Sequence, residues 1–158
     1  MAFPGLIFAL VLVQALGPSI DNIMLAYGIL GIPGYARLMR GAALQEINKP
    51  YVHSAKVSGA SKPRIIFRHI LPNCFAPILV SFTFDIGGII LSLAGLSFLG
   101  FGDPFLIEWG NDIAAARSLI YSAPWAALWP GLGILLTVLG FMLLGDGLRD
   151  ALDPRIKH

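Results

Sequence analysis

Apolar residues in this chain gather into four long stretches, with polar residues between them. A bilayer core of about 30 Å takes roughly 20 mostly apolar residues in a helix. The first stretch, about residues 2–17, contains AFPGLIFALVLVQAL; the second, about 19–39, contains IDNIMLAYGILGIPGYARL, opened by Gly17 and Pro18 and closed by Arg37 and Arg40. The third, about 74–99, contains FAPILVSFTFDIGGIILSLAGLSFL, and the fourth, about 125–145, contains AALWPGLGILLTVLGFMLL and runs into GDGLRDALDPRIKH. A secretory signal peptide would also open on an apolar stretch, and VQA loosely resembles a cleavage site. Such a peptide carries a positive n-region, whereas no Lys or Arg precedes Arg37. The expectation is an all-α membrane protein with four transmembrane helices, whose first part is missing.

The basic residues orient the spans, because Lys and Arg are retained on the cytoplasmic side. With the 41–72 loop and the C-terminal tail inside, Arg37, Arg40, Lys49, Lys56, Lys62, Arg64, Arg68, Arg149, Arg155 and Lys157 are all cytoplasmic. Arg117 alone is then outside, beside Asp103, Glu108 and Asp112. The reverse topology would translocate nearly every basic residue.

The 41–72 loop has its own punctuation. Asn48 is placed as an N-cap with Pro50 in the first turn, where a missing N–H costs nothing. Gly59 fits the left-handed position that closes a short helix. Ser61 with Pro63 repeats the start signal, and Pro72 marks where the third span begins. The pattern predicts a short helix, a glycine corner, then a second short helix with Arg64 and Arg68 on one face. A flexible linker would be richer in Ser and Gly and poorer in Ile and Phe.

Composition narrows the class further. The chain is 56% hydrophobic and 13% charged, against about 25% charge in soluble domains. Its net charge of +2 says less than the placement of the basic residues. A single cysteine, Cys74, allows no internal disulfide. No G-x-x-x-x-G-K-[ST] loop is present to cradle phosphates, and His53, His69 and His158 are too scattered to make a metal site. No catalytic apparatus, metal or cofactor is expected, and a basic stretch flanking a membrane reads as a topology determinant or lipid contact rather than a nucleic-acid surface. Asp85, in the middle of the third span, reads as a residue of a watery path, as a structural hydrogen bond to a neighbouring helix, or as a neutral acid. Gly87, Gly88, Ala94 and Gly95 on the same span permit close helix packing.

The stretch YVHSAKVSGASKPRIIFRHILPN resembles the cytoplasmic EAA loop of binding-protein-dependent ABC-transporter permeases, whose signature is an E-A-A run, a Gly, and then I-x-L-P. Ala55, Gly59, Leu71 and Pro72 match in register. His53 and Ser54 stand where Glu and Ala are expected, and His69 occupies the Ile position with Ile70 beside it. AFPGL, GYARLMR, AGLSFLGFG, APWAALWPG and LLGDGLRDALDPR are similar to the second permease subunit of dipeptide, oligopeptide and nickel importers. The resemblance covers essentially the whole chain, which looks like the last four of the family's six spans.

That resemblance implies a permease subunit that forms a translocation path and hydrolyses no ATP itself. It implies a coupling loop containing Tyr51, His53, Ser54, Ala55, Gly59, Ala60, Leu71 and Pro72, with residues 50–59 as the lever. The implied partners are a second permease subunit, two ATP-binding subunits, an extracytoplasmic solute-binding protein and membrane lipid, in a bacterial or archaeal plasma membrane. Nickel or another small solute is an alternative cargo. Other readings are an ion-coupled secondary transporter using Asp85, against which the EAA-like loop argues, and a truncated remnant that transports nothing.

Overall fold

The computed structural model describes residues 5–152, and every regular element within them is helical. In order these are α1 (Gly5–Leu16), α2 (Ile20–Glu46), α3 (Pro50–Val57), α4 (Lys62–Ile65), a π-wound turn (Ile66–Ile70), α5 (Leu71–Phe98), α6 (Trp109–Ala116), a 3-10 turn (Arg117–Leu119) and α7 (Trp125–Leu152). Residues 2–4 of the first predicted span, and Arg155, Lys157 and His158, lie outside the described residues.

Among the described residues two helices are both long and apolar enough to cross a membrane: the 37 residues Lys62–Phe98 and the 28 residues Trp125–Leu152. In their most apolar windows only 17% and 11% of residues are buried. The core helix of a soluble protein would be mostly enclosed, whereas these windows are largely exposed. Helix α1 is apolar but has 12 residues. Helix α2 has the length, at 27 residues, but also carries Asp21, Arg37, Arg40 and Glu46.

The chain forms two compact units, one comprising the chain up to Gly31 together with Phe84–Leu143, the other Ile32–Thr83 and the chain from Leu144. The division within α2 falls beside Pro33, whose ring nitrogen has no proton for the carbonyl of Ile29.

In the first unit, Gly17 turns the chain at φ +96° and donates its N–H to the Val13 carbonyl at 2.8 Å. Asn22 Nδ2 lies 3.0 Å from the carbonyls of Leu16 and of Gly17, satisfying acceptors that the end of α1 leaves open. Ala9 and Val13 of α1, Ile23 and Ala26 of α2, and Leu96 of α5 then close into one apolar cluster. Packing between α5 and α7 is tight at Gly87, where a Cβ would meet Val138 Cγ1 at 3.4 Å; at Gly88 and Gly95 it would meet nothing within 4 Å. The small-residue stripe is therefore a contact at Gly87 and open at Gly88 and Gly95. Hydroxyls inside these helices turn back on their own backbones, as with Ser92 Oγ to the Gly88 carbonyl and Thr137 Oγ1 to that of Gly133, both at 2.8 Å. That removes polar groups that lipid could not satisfy.

In the second unit, Val52 of α3, Ile65, Ile70 and Cys74 form a separate buried cluster. Met39, Ala42 and Ala43 of α2, with Ala55 and Ala60, pack around it. The central loop is thus a folded body with its own core.

Three boundaries depart from the sequence reading. Helix α2 continues to Glu46, past the arginines that close the apolar stretch, because GAALQE is rich in good helix formers. Asn48 is not the N-cap of α3: that position is Lys49, without a side-chain cap, while Asn48 Nδ2 donates back to the Leu44 carbonyl at 3.1 Å. Because α2 extends so far, its open carbonyls lie within reach of Asn48. Pro72 stands in the first turn of α5, where the third span was expected to begin, but the helical path does not start there: it runs from Lys62 to Phe98. The turn before Leu71 is π-wound, the Leu71 N–H reaching the Ile66 carbonyl five residues back, and it joins α4 to α5 without a break.

Candidate functional site

Eight residues make α3, PYVHSAKV, with Pro50 in its first turn. A helix this short is marginal alone, so its stability and direction come from its attachments. At its far end Gly59 has φ +78°. The Gly59 N–H donates to the Lys56 carbonyl at 3.0 Å and the Ala60 N–H to the Ala55 carbonyl at 3.1 Å. These two bonds are the Schellman pattern, and Ala55 and Ala60 supply its apolar contact over the Val52 cluster. The sequence reading of Gly59 as a left-handed corner therefore agrees with the backbone. Ser61 at ψ 151° is the extended residue before α4, as the Ser61–Pro63 signal predicted.

The root of α3 is held by polar side chains. Glu46, at the end of α2, is 8% exposed. One carboxylate oxygen accepts from Lys49 Nζ at 2.5 Å, and the other accepts from the Tyr51 hydroxyl. Asn73 Nδ2 donates to Tyr51 Oη at 3.2 Å and to the His69 carbonyl at 2.7 Å. The Tyr51 and His69 rings sit 6.4 Å apart, tilted by 49°. Burial pushes the Glu46 carboxyl up, but the bonds from Lys49 and Tyr51 and the Lys49 charge outweigh it, and the net shift is down. For Tyr51, burial first, then the bond and charge of Glu46, push the hydroxyl up to about 12. Both groups keep their neutral-pH forms, carboxylate and phenol, over a widened range.

Of the residues marked in advance, Tyr51, His53, Ser54 and Ala55 share α3, while Gly59 and Ala60 form its corner. His53 is exposed, and Ser54 Oγ bonds the Pro50 carbonyl at 3.1 Å. Leu71 and Pro72 sit in the first turn of α5, next to Asn73. Asp85 is exposed on α5 and belongs to the other unit. Glu46 and Asn73 escaped the sequence reading. The available signal was that Glu46 is the single acid in the basic 41–72 stretch, where an isolated acid has many possible basic and hydroxyl partners.

The outer part of the lever is bare: Val57 is 90% exposed, and His53, Lys56 and Ser58 are exposed beside it. Among the described residues no group of three or more His, Cys, Asp or Glu side chains is placed to hold a metal ion.

This geometry meets a family. The binding-protein-dependent transport system inner membrane component matches residues 1–158. The chain belongs to this family. Similar members include the dipeptide transport system permease protein DppC of Alkalihalophilus pseudofirmus, 45% identical over 99% of this chain and 52% of that protein. DppC of Escherichia coli is 48% identical over 100% of this chain and 53% of its own length. The glutathione transport system permease protein GsiD of an Escherichia coli strain is 49% identical over 99% of this chain and 52% of its length. The chain thus spans about half the length of the relatives it matches. All of these names describe permeases and none an enzyme, and the family places the chain in an inner-membrane transport component.

Proposed function

We propose that this chain is a permease subunit of an ATP-binding-cassette importer that forms the path for di- and oligopeptides and receives ATPase motion through α3. One observation carries the reading: an eight-residue helix tied at its root, closed by a glycine corner at φ +78°, and bare on its outer part. A permease without a phosphate-cradling loop draws on ATP bound elsewhere, and a stiff short projection is a shape that can be pushed. The names of the relatives supply the cargo class. Glutathione, named for one of them, is itself a tripeptide, so that name falls within the same chemistry.

The reading includes four spans at about 2–17, 19–39, 74–99 and 125–145, with the 41–72 loop cytoplasmic. The lopsided Lys and Arg distribution supports it. The partners are a second permease subunit, two ATP-binding subunits and an extracytoplasmic solute-binding protein, in a bacterial or archaeal plasma membrane. Asp85 is proposed as a carboxylate of the path.

Gly59→Val in the assembled transporter tests the lever. A Cβ at Gly59 meets nothing within 4 Å, so the first cost of the substitution is the positive φ, at about 1–2 kcal/mol. The variant should insert normally yet lose ATPase association or ATP-driven dipeptide uptake. Gly41→Val, in helical backbone and also in open space, should be milder. Parental association and uptake by Gly59→Val would contradict the reading.

A further inference from the structure

A phenol has one proton to donate and lone pairs with which to accept. Tyr51 uses both: its proton goes to Glu46 at the end of α2, and its oxygen accepts from Asn73 in the first turn of α5 at 3.2 Å. The second Asn73 proton goes to the His69 carbonyl at 2.7 Å, inside the π-wound turn. The His69 carbonyl also lies 3.3 Å from Tyr51 Oη. Lys49 Nζ occupies the remaining Glu46 oxygen at 2.5 Å. One side chain of α3 is thereby bonded to the long helix on each side of the loop.

Beneath this polar knot lies Val52, 0% exposed, in the cluster with Ile65, Ile70 and Cys74. Apolar burial is non-directional; it seats α3 but leaves its roll and tilt free. Hydrogen bonds to a carboxylate are short, directional and strong. The two kinds of contact divide the work, Val52 as the seat and Tyr51 as the aim.

We propose that the Tyr51 hydroxyl, held between Glu46 and Asn73, is the positioning joint that ties movement of α3 to α2 and α5 together. The proposal rests on the coupling role of α3 proposed above. Without the hydroxyl the lever stays seated and still meets the ATPase, but its motion no longer reaches both helices in step.

The test uses the transporter assembled with its second permease, ATP-binding subunits and solute-binding protein in proteoliposomes. ATP hydrolysis and uptake of labelled dialanine are measured together. Tyr51→Phe should co-purify with the ATPase at the parental ratio while ATP consumed per dialanine imported rises, because hydrolysis continues as import falls. Asn73→Ala should do the same, and the double variant should be no worse than either single one, since both act on one joint. Thr137→Val, whose hydroxyl bonds the Gly133 carbonyl of its own helix and lies outside both the lever and the joint, should keep the parental ratio. An unchanged ratio in Tyr51→Phe and Asn73→Ala overturns the joint, as does a parallel fall in assembly, hydrolysis and uptake, which marks a structural role alone. Gly59→Val in the same preparation separates the two claims. If it uncouples and Tyr51→Phe does not, the joint is wrong and the lever stands; if neither has an effect, the lever fails and the joint with it.

Discussion

The central loop and the later connection between α5 and α7 share a glycine corner and are held by different forces. Gly59, at φ +78°, closes α3 within the loop; Gly100, at φ +89°, closes α5 where the connection starts and repeats the paired bonds, its N–H to the Ser97 carbonyl and that of Phe101 to the Leu96 carbonyl. In all else they diverge. The loop is aimed by side-chain hydrogen bonds through Glu46, Tyr51 and Asn73, and its Gly41 and Gly59 face open space. The later connection is locked by volume. A Cβ on Gly110 would lie 2.7 Å from Ser97 Cβ and 2.8 Å from the Cα and carbonyl of Ala94, and one on Gly133 would lie 2.9 Å from the Trp109 ring. Ser97 Oγ, 2.5 Å from Glu108 Oε1, lies within the same knot. The loop's aim rests on a few directional bonds over an apolar seat, whereas the later connection is fixed by close contact of backbone and side chains.

The sharpest break in this comparison should come from adding a methyl group to the locked side. In Gly110→Ala the new Cβ meets backbone of α5 that cannot rotate away, so stability should fall by about 1–3 kcal/mol or more. Thermal unfolding of the purified protein in detergent measures it. Gly88→Ala, where a Cβ meets nothing within 4 Å, should shift the transition far less. Equal shifts would dissolve the distinction between locked and open glycines.

The loop should respond to pH instead. Glu46 has a lowered pKa, so its contribution is present above its ordinary value of 4.5 and is lost as pH falls through the lowered one. Tyr51 is raised from 10.0 to about 12, so its contribution is present below 10.0 and is lost as pH rises between those values. Hydrogen exchange across residues 46–73 should therefore show a broad plateau of protection that falls at both ends. Glu46→Gln should remove the acid limb. An acid limb unchanged in that variant would mean that another group holds the loop.

A smaller effect is expected at Asp85. Asp85→Asn should alter dipeptide transport while leaving membrane insertion intact. Lowered stability with unchanged transport would assign the residue to structure.

What could be read in advance follows from how local each signal is. The Gly59 corner and the Ser61–Pro63 start were legible because positive φ and a proline in the first turn are requirements of single residues. The extension of α2 and the role of Asn48 were not, because arginines end an apolar pattern without ending a helix. Pro72 marked the first turn of α5 but not the start of the helical path, because a π-wound turn, which has no sequence marker here, joins α4 to α5. The Glu46–Tyr51–Asn73 joint was least visible, since Tyr51 and Asn73 are 22 positions apart and meet only once the loop folds on Val52. The membrane spans were legible where apolarity is unbroken, in the third and fourth stretches, and less so in α2, where charge and length point different ways.

If α3 is the lever proposed, it touches the ATPase, and Val57, 90% exposed on that helix, is the place to ask. With Cys74 replaced by Ala, Val57→Cys in the assembled transporter should form a short-span cross-link to an ATP-binding subunit. Tyr121→Cys, at a 100% exposed position in the later connection, should form none. A cross-link from position 57 to the solute-binding protein, or its labelling by a membrane-impermeant reagent from outside intact cells, would contradict the claim.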